Sequence, residues 1–204
     1  MKKYIVSSLV LALVSAQAWA IVDVRSNTSM SYGKATGDFI SSKPTLLNYT
    51  EDLSVLYSAI PVIQLGIGGS YRFVRQTSTV YSEVGNYRGT RWEVYPILGL
   101  KLGRIWTGFA PVWLFGRYNM AKQTVGKLDV YYREPLGGKV FLSYDMSSLL
   151  PLSIINWGIS LTGDYMTFKK YTLVNSAGVA TDKDMDSRLR LWSVGMALNF
   201  NFGV

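Results

Sequence analysis

Trp192-Ser193-Val194-Gly195-Met196-Ala197-Leu198-Asn199-Phe200-Asn201-Phe202 alternates without a break. Its even positions hold Trp, Val, Met, Leu, Phe and Phe, and its odd positions hold Ser, Gly, Ala, Asn and Asn. Successive side chains of an extended chain leave on opposite faces, so this stretch is a strand with one large apolar face and one small polar face. A helix would scatter both classes around its circumference. The same reading applies to Ile155, Trp157, Ile159, Leu161 and Tyr165 against Asn156, Gly158, Ser160, Thr162 and Asp164. It applies again to Leu65, Ile67, Tyr71 and Phe73 against Gln64, Gly66, Gly68, Ser70 and Arg72.

Two-faced strands suit a soluble sandwich, whose apolar faces are buried between sheets, and equally a barrel whose apolar face meets lipid. The connections decide between them. Alternation predicts strands at 21–34, 46–59, 63–76, 91–102, 106–120, 137–147, 154–170 and 188–202. Between them, long polar links (Gly33 to Thr45, Thr77 to Thr90, Ala121 to Leu136, Tyr171 to Ser187) alternate with short ones around Pro61, Gly103-Arg104 and Leu150-Pro151. Long loops at one end and tight turns at the other are the asymmetry of an outer-membrane barrel. The expected fold is all-β: a closed, antiparallel, up-and-down transmembrane barrel of about eight strands. Closure is forced, because an unpaired backbone group facing hydrocarbon costs several kcal/mol.

The first residues are read separately. Lys2 and Lys3 precede an apolar run from Tyr4 to Ser15, and Ala18-Trp19-Ala20 supplies the small residues of a cleavage site. The run is too short for a membrane-spanning helix, which needs roughly 20 residues. Residues 1–20 are therefore expected to be a cleaved signal peptide and 21–204 the barrel domain. Residues are 49% hydrophobic, yet nothing after the leader is long and apolar enough for a spanning helix, so the apolar content belongs to strands. Cysteine is absent, which excludes a disulfide framework.

The signal peptide, the eight alternating segments and the closing Met196-Ala197-Leu198-Asn199-Phe200-Asn201-Phe202 resemble the small outer-membrane barrels of Gram-negative bacteria, the OmpA, OmpX and OmpW type. The resemblance implies the outer membrane as location and the barrel-assembly machinery as a partner in biogenesis. In that group an aromatic residue closing the last strand is the assembly signal. Here Met196, Leu198, Phe200 and Phe202 carry it, displaced by the two residues Gly203-Val204.

Inside such a barrel, alternation points Asp23, Arg25, Asp52, Arg72, Glu93, Lys101, Asp145 and Asp164 at the lumen. A lumen of about eight strands is only wide enough for side chains to fill, so these charges are expected to neutralise one another as a plug. Trp92, Tyr95, Trp106, Trp113, Tyr118, Trp157, Tyr165 and Trp192 are candidates for the interfacial girdles. Basic residues of the loops and upper strand ends, among them Arg91, Lys139, Lys169, Lys170, Arg188 and Arg190, are placed to meet lipopolysaccharide phosphates.

Catalysis is disfavoured by what the chain lacks. Outer-membrane lipases, acyltransferases, deacylases and omptin-like proteases resemble one another in relying on a histidine, and this chain has none. It holds no G-x-S-x-G elbow and no Cys/His metal set. Asp182-Lys183-Asp184-Met185-Asp186 starts like a calcium loop, but Ser187 stands where Gly is needed. No cofactor is implied, nucleic acid does not suit the compartment, and a monomer is expected. The leading function is a structural or surface-interaction barrel. A narrow channel for ions or small apolar solutes, and a soluble ligand-binding barrel, are the alternatives.

Overall fold

The computed structural model of the protein describes residues 22–36, 45–60, 62–76, 88–125, 128–146, 155–174 and 177–203. The described strands are β1 (Val22–Thr36), β2 (Thr45–Ile60), β3 (Ile63–Gln76), β4 (Arg88–Leu102), β5 (Ile105–Pro111), β6 (Met120–Val125), β7 (Leu128–Asp145), β8 (Ile155–Val174) and β9 (Ala180–Gly203), with a 3-10 segment at Val112–Tyr118. The leader expected at 1–20 lies outside the described residues.

Each strand pairs antiparallel with the next crossing of the chain. β9 then pairs with β1 from Asp23↔Gly203 to Thr36↔Arg190, which closes the sheet into a ring. The ring has eight crossings, because β5 and β6 share one: both lie between β4 and β7, β5 beside Leu98–Leu102 and β6 beside Gly89–Trp92. The short link at Gly103-Arg104 turns through Gly103, whose φ of +61° is a conformation that a residue without Cβ enters at no steric cost.

Three expectations need correction. The strand at 106–120 is broken: β5 ends at Pro111, and the chain leaves the ladder for the 3-10 segment before β6 resumes. The links at 121–136 and 171–187 are largely strand, since β7 begins at Leu128, β8 runs to Val174 and β9 starts at Ala180. At these upper ends the outward positions carry Lys122, Arg133, Lys169 and Lys170 instead of apolar side chains, so the greasy half of the alternation disappears while the backbone pairing continues.

The break leaves β4 between Trp92 and Leu98, and β7 between Tyr132 and Gly138, without a ladder partner on that side. Both stretches contain a proline, Pro96 and Pro135, which has no N–H to leave unsatisfied. Asn119 bridges the gap: its Oδ1 accepts the Val94 N–H at 2.6 Å and its Nδ2 donates to the Val112 carbonyl at 2.9 Å.

Candidate functional site

The outer wall is apolar. Leu65, Ile67, Leu142, Leu161, Val194, Met196 and Leu198 each expose about half of their surface, and Trp92, Trp113, Tyr165 and Trp192 lie among them. The inner wall is polar and closed to solvent, with Asn27, Ser29, Ser54, Ser143, Ser160 and Asn199 buried in it. This is a water-soluble barrel turned inside out. An apolar belt on a closed sheet with a charged interior is stable only with hydrocarbon outside, and the chain is a transmembrane barrel.

The interior is built in layers. Near the periplasmic turns, Arg25 reaches Asp145 at 2.9 Å and Asp23 at 3.3 Å, while its guanidinium lies 4.5 Å from the Trp106 ring centroid. The Trp106 Nε1 donates to Gln64 at 2.8 Å, and Gln64 donates to Asp23 at 3.3 Å. Asn199 and Asn201 donate to the two oxygens of Asp145. Lys101 stands 3.9 Å from Asp23 and is about one-third exposed. Two cations thus face two carboxylates.

Trp106 fits because its neighbours are glycines. A Cβ on Gly108 would lie 2.4 Å from its ring, and one on Gly99 2.8 Å. Tyr95 is seated over Gly68 in the same way, with 2.4 Å to a Cβ built there. Trp106, Phe141 and Tyr95 form an aromatic layer, with ring centroids 5.9 and 6.4 Å apart.

Above it sits a second charged cluster. Asp164 meets Arg72 at 2.6 Å and Arg91 at 2.8 Å, and accepts from the Ser193 hydroxyl. Lys139 meets Asp52 at 2.6 Å and Glu93 at 3.0 Å, and donates to Ser70 at 2.9 Å. Tyr95 donates to Asp52 at 2.6 Å. Arg91 Nε forms an ion pair with Glu93 Oε1 at 2.5 Å. Arg72, Arg91 and Lys139 thus balance Asp52, Glu93 and Asp164. Toward the extracellular mouth, Leu46, Val74, Tyr132, Met166, Phe168, Leu189 and Leu191 are buried, a hydrophobic cap over the charges.

Asp23, Arg25, Asp52, Arg72, Glu93, Asp145 and Asp164 are buried in the lumen and Lys101 lies at its periplasmic end. Arg91 and Lys139, read as surface cations, are corrected: both are buried within the upper cluster. Each shares strand parity with a residue already assigned inward, Arg91 with Glu93 and Lys139 with Asp145, and that was the available signal. Tyr95 and Trp106 are also corrected, from girdle to interior; small Gly108 and Ala110 in step with Trp106 mark an inward face with room for a large ring. Lys169, Lys170 and Arg190 are exposed on the outer face of the extracellular ends, and the Arg188 side chain lies outside the description. Met196, Leu198, Phe200 and Phe202 are exposed on the lipid side of β9.

Several solved outer-membrane barrels are similar to the chain in structure. Neisserial surface protein A is similar over 88% of this chain and 96% of its own, with a TM-score of 0.47 and 9% identity. The outer membrane protein OprG from Pseudomonas aeruginosa is similar over 90% and 96%, with a TM-score of 0.45 and 9% identity. The outer membrane protease OmpT from Escherichia coli is similar over 90% and 96%, with a TM-score of 0.40 and 8% identity. No protein-family model and no curated protein matches the chain in sequence.

Proposed function

We propose that the protein is a non-enzymatic, non-conducting barrel that acts as a surface element of the outer membrane. The observation that carries this reading is the lumen: two charge-balanced clusters, an aromatic layer between them and an apolar cap above. A conducting path needs charges that face water and sites that ions leave easily. Here the lumen charges are paired with one another. The chain has no histidine for acid–base work. What remains free to act is the outside. The apolar belt holds the barrel in the bilayer, and the exposed cations Lys169, Lys170 and Arg190 face the phosphates of lipopolysaccharide. Assembly through Met196, Leu198, Phe200 and Phe202 and a monomeric state belong to the same proposal.

The test is single-channel recording from purified protein in planar bilayers. The expected result is no steady conductance above the bare bilayer; reproducible steps of defined size would overturn the sealed-lumen reading.

A further inference from the structure

The apolar outer wall carries a single charge within its belt. Glu51 stands on the lipid side of β2, partly exposed, with Leu47 and Tyr49 exposed above it and Leu53, Val55 and Tyr57 exposed below. The outward cations begin higher. Arg75, itself exposed, pairs with Leu47, four residues up β2 from Glu51 and about 13 Å along the strand. Among the described residues, no other charged side chain lies on the lipid face between those cations and the periplasmic turns.

A carboxylate facing acyl chains is costly, and charged groups at membrane depth are as a rule paired and mark a site. Glu51 is held in place but not neutralised. Thr28, directly opposite on β1, donates to Oε2 at 2.7 Å, and the Tyr49 hydroxyl donates to Oε1. These two neutral donors fix the carboxylate and leave each oxygen with a further lone pair. The ion pairs on the outside of the barrel are Lys122 with Asp129 and Lys170 with Glu134, and no cation among the described residues pairs with Glu51. The wall around it is recessed: Ser26 and Thr28 on β1 and Gly69 on β3 are small, and a Cβ on Gly69 would meet nothing nearer than 3.6 Å. Tyr71, directly opposite Glu51, packs against Trp92 with ring centroids 4.5 Å apart, so the recess has an aromatic rim.

A ligand for this recess has to come from the bilayer, carry positive charge and offer N–H donors to the remaining lone pairs. We propose that Glu51 is a seat for the primary ammonium of an ethanolamine phospholipid, with Thr28 and Tyr49 as the residues that position the carboxylate and with acyl chains lying over Leu53, Val55 and Ile67. A primary ammonium has three donors for the two oxygens, and its charge is attracted to the faces of Tyr71 and Trp92. The quaternary ammonium of a choline lipid keeps the charge and the aromatic contact but has no N–H, so it fits less well. The seat lies on the outer wall and goes beyond the sealed-lumen reading without depending on it.

Native mass spectrometry of the intact refolded barrel, titrated in detergent with dioleoyl phosphatidylethanolamine or dioleoyl phosphatidylcholine, tests this. The two lipids share chains and phosphate, so their difference isolates the ammonium. Wild type is expected to bind the ethanolamine lipid about fivefold more tightly, equivalent to ~1 kcal/mol, the upper range for an ion pair near water. Glu51→Gln should bind both lipids alike, and Thr28→Val, which frees the carboxylate to move, should retain a preference of about twofold. Glu134→Gln, which removes a carboxylate above the belt that already has Lys170, should behave as wild type. Folding of every variant is confirmed by its mobility difference between boiled and unboiled samples. Equal affinities for the two lipids in wild type, or a preference that survives Glu51→Gln, overturns the proposal. An equal loss of preference in Glu134→Gln overturns the placement at Glu51. Channel recordings bear only on the lumen, so failure of that reading and failure of this one are told apart.

Discussion

Replacing Asp164 by Asn separates a dry lumen from a wet one. Asp164 lies between Arg72 at 2.6 Å and Arg91 at 2.8 Å, and its own side chain is 3% exposed. The amide keeps the shape but removes the charge that both guanidiniums face. In a dry interior, breaking such a pair strands buried charge and costs about 3–5 kcal/mol. In a water-filled lumen the same change costs about 0–1 kcal/mol, the range for solvated ion pairs. The measurement is equilibrium unfolding in urea of the barrel refolded into lipid vesicles, with the slope of the transition checked for constancy between variants. Arg91→Gln in the Asp164→Asn background should recover part of the loss, because one of the stranded cations is removed with its partner. A destabilisation below about 1 kcal/mol, or no recovery in the double variant, would refute the idea that these charges are sealed from water.

Leu161→Arg places a cation on the lipid face of β8 and should cost about 2–4 kcal/mol if that residue lies near the bilayer midplane, read by the same urea titration; a neutral effect would contradict the lipid-facing belt. Gly108→Ala puts a methyl group 2.4 Å from the Trp106 ring and should cost about 1–3 kcal/mol with altered Trp fluorescence, whereas Gly69→Ala, with nothing nearer than 3.6 Å, should be tolerated. Asn119→Ala leaves the Val94 N–H without its acceptor beside the broken fifth crossing and should cost about 1–3 kcal/mol, with faster amide exchange confined to that part of the wall.

The two-faced strands were legible because one physical constraint acts on every residue of a lipid-facing sheet. β3 falls at Ile63–Gln76, the range that alternation predicts, and β9 shows the pattern without a lapse from Trp192 to Phe202. Legibility ends where that constraint ends. Above the bilayer the outward side of β7 and β8 meets water, so Arg133 reads as loop although the ladder runs past it. Side chains inside the lumen obey a different rule, which is to find a partner anywhere across the barrel. Lys139 meets Asp52 from a strand 87 residues away in sequence, and Arg25 meets Asp145 across 120. Strand parity places such residues on the inner face, but only the closed ring says which of them touch. The 3-10 segment had one local cue, Pro111 at the end of a strand. That cue marks a stop without saying that the wall resumes at Met120.

A charged interior is a costly way to fill a barrel, since well-packed apolar side chains of similar volume are often as stable as a buried ion pair or more so. The chain's position in lipid explains the choice. A barrel whose strands were apolar on both faces would consist of long, uncharged, β-prone segments, the composition that aggregates when it is exposed before folding. Placing Arg25, Arg72, Arg91 and Lys139 at every second position of otherwise greasy strands breaks up those segments. The same side chains, together with Lys101, become neutral as a set once the ring closes and Asp23, Asp52, Glu93, Asp145 and Asp164 come within reach. Because partners such as Arg25 and Asp145 are brought together only by the closed ring, a misregistered barrel would bury them unpaired, so the plug penalises wrong closures more than it stabilises the right one.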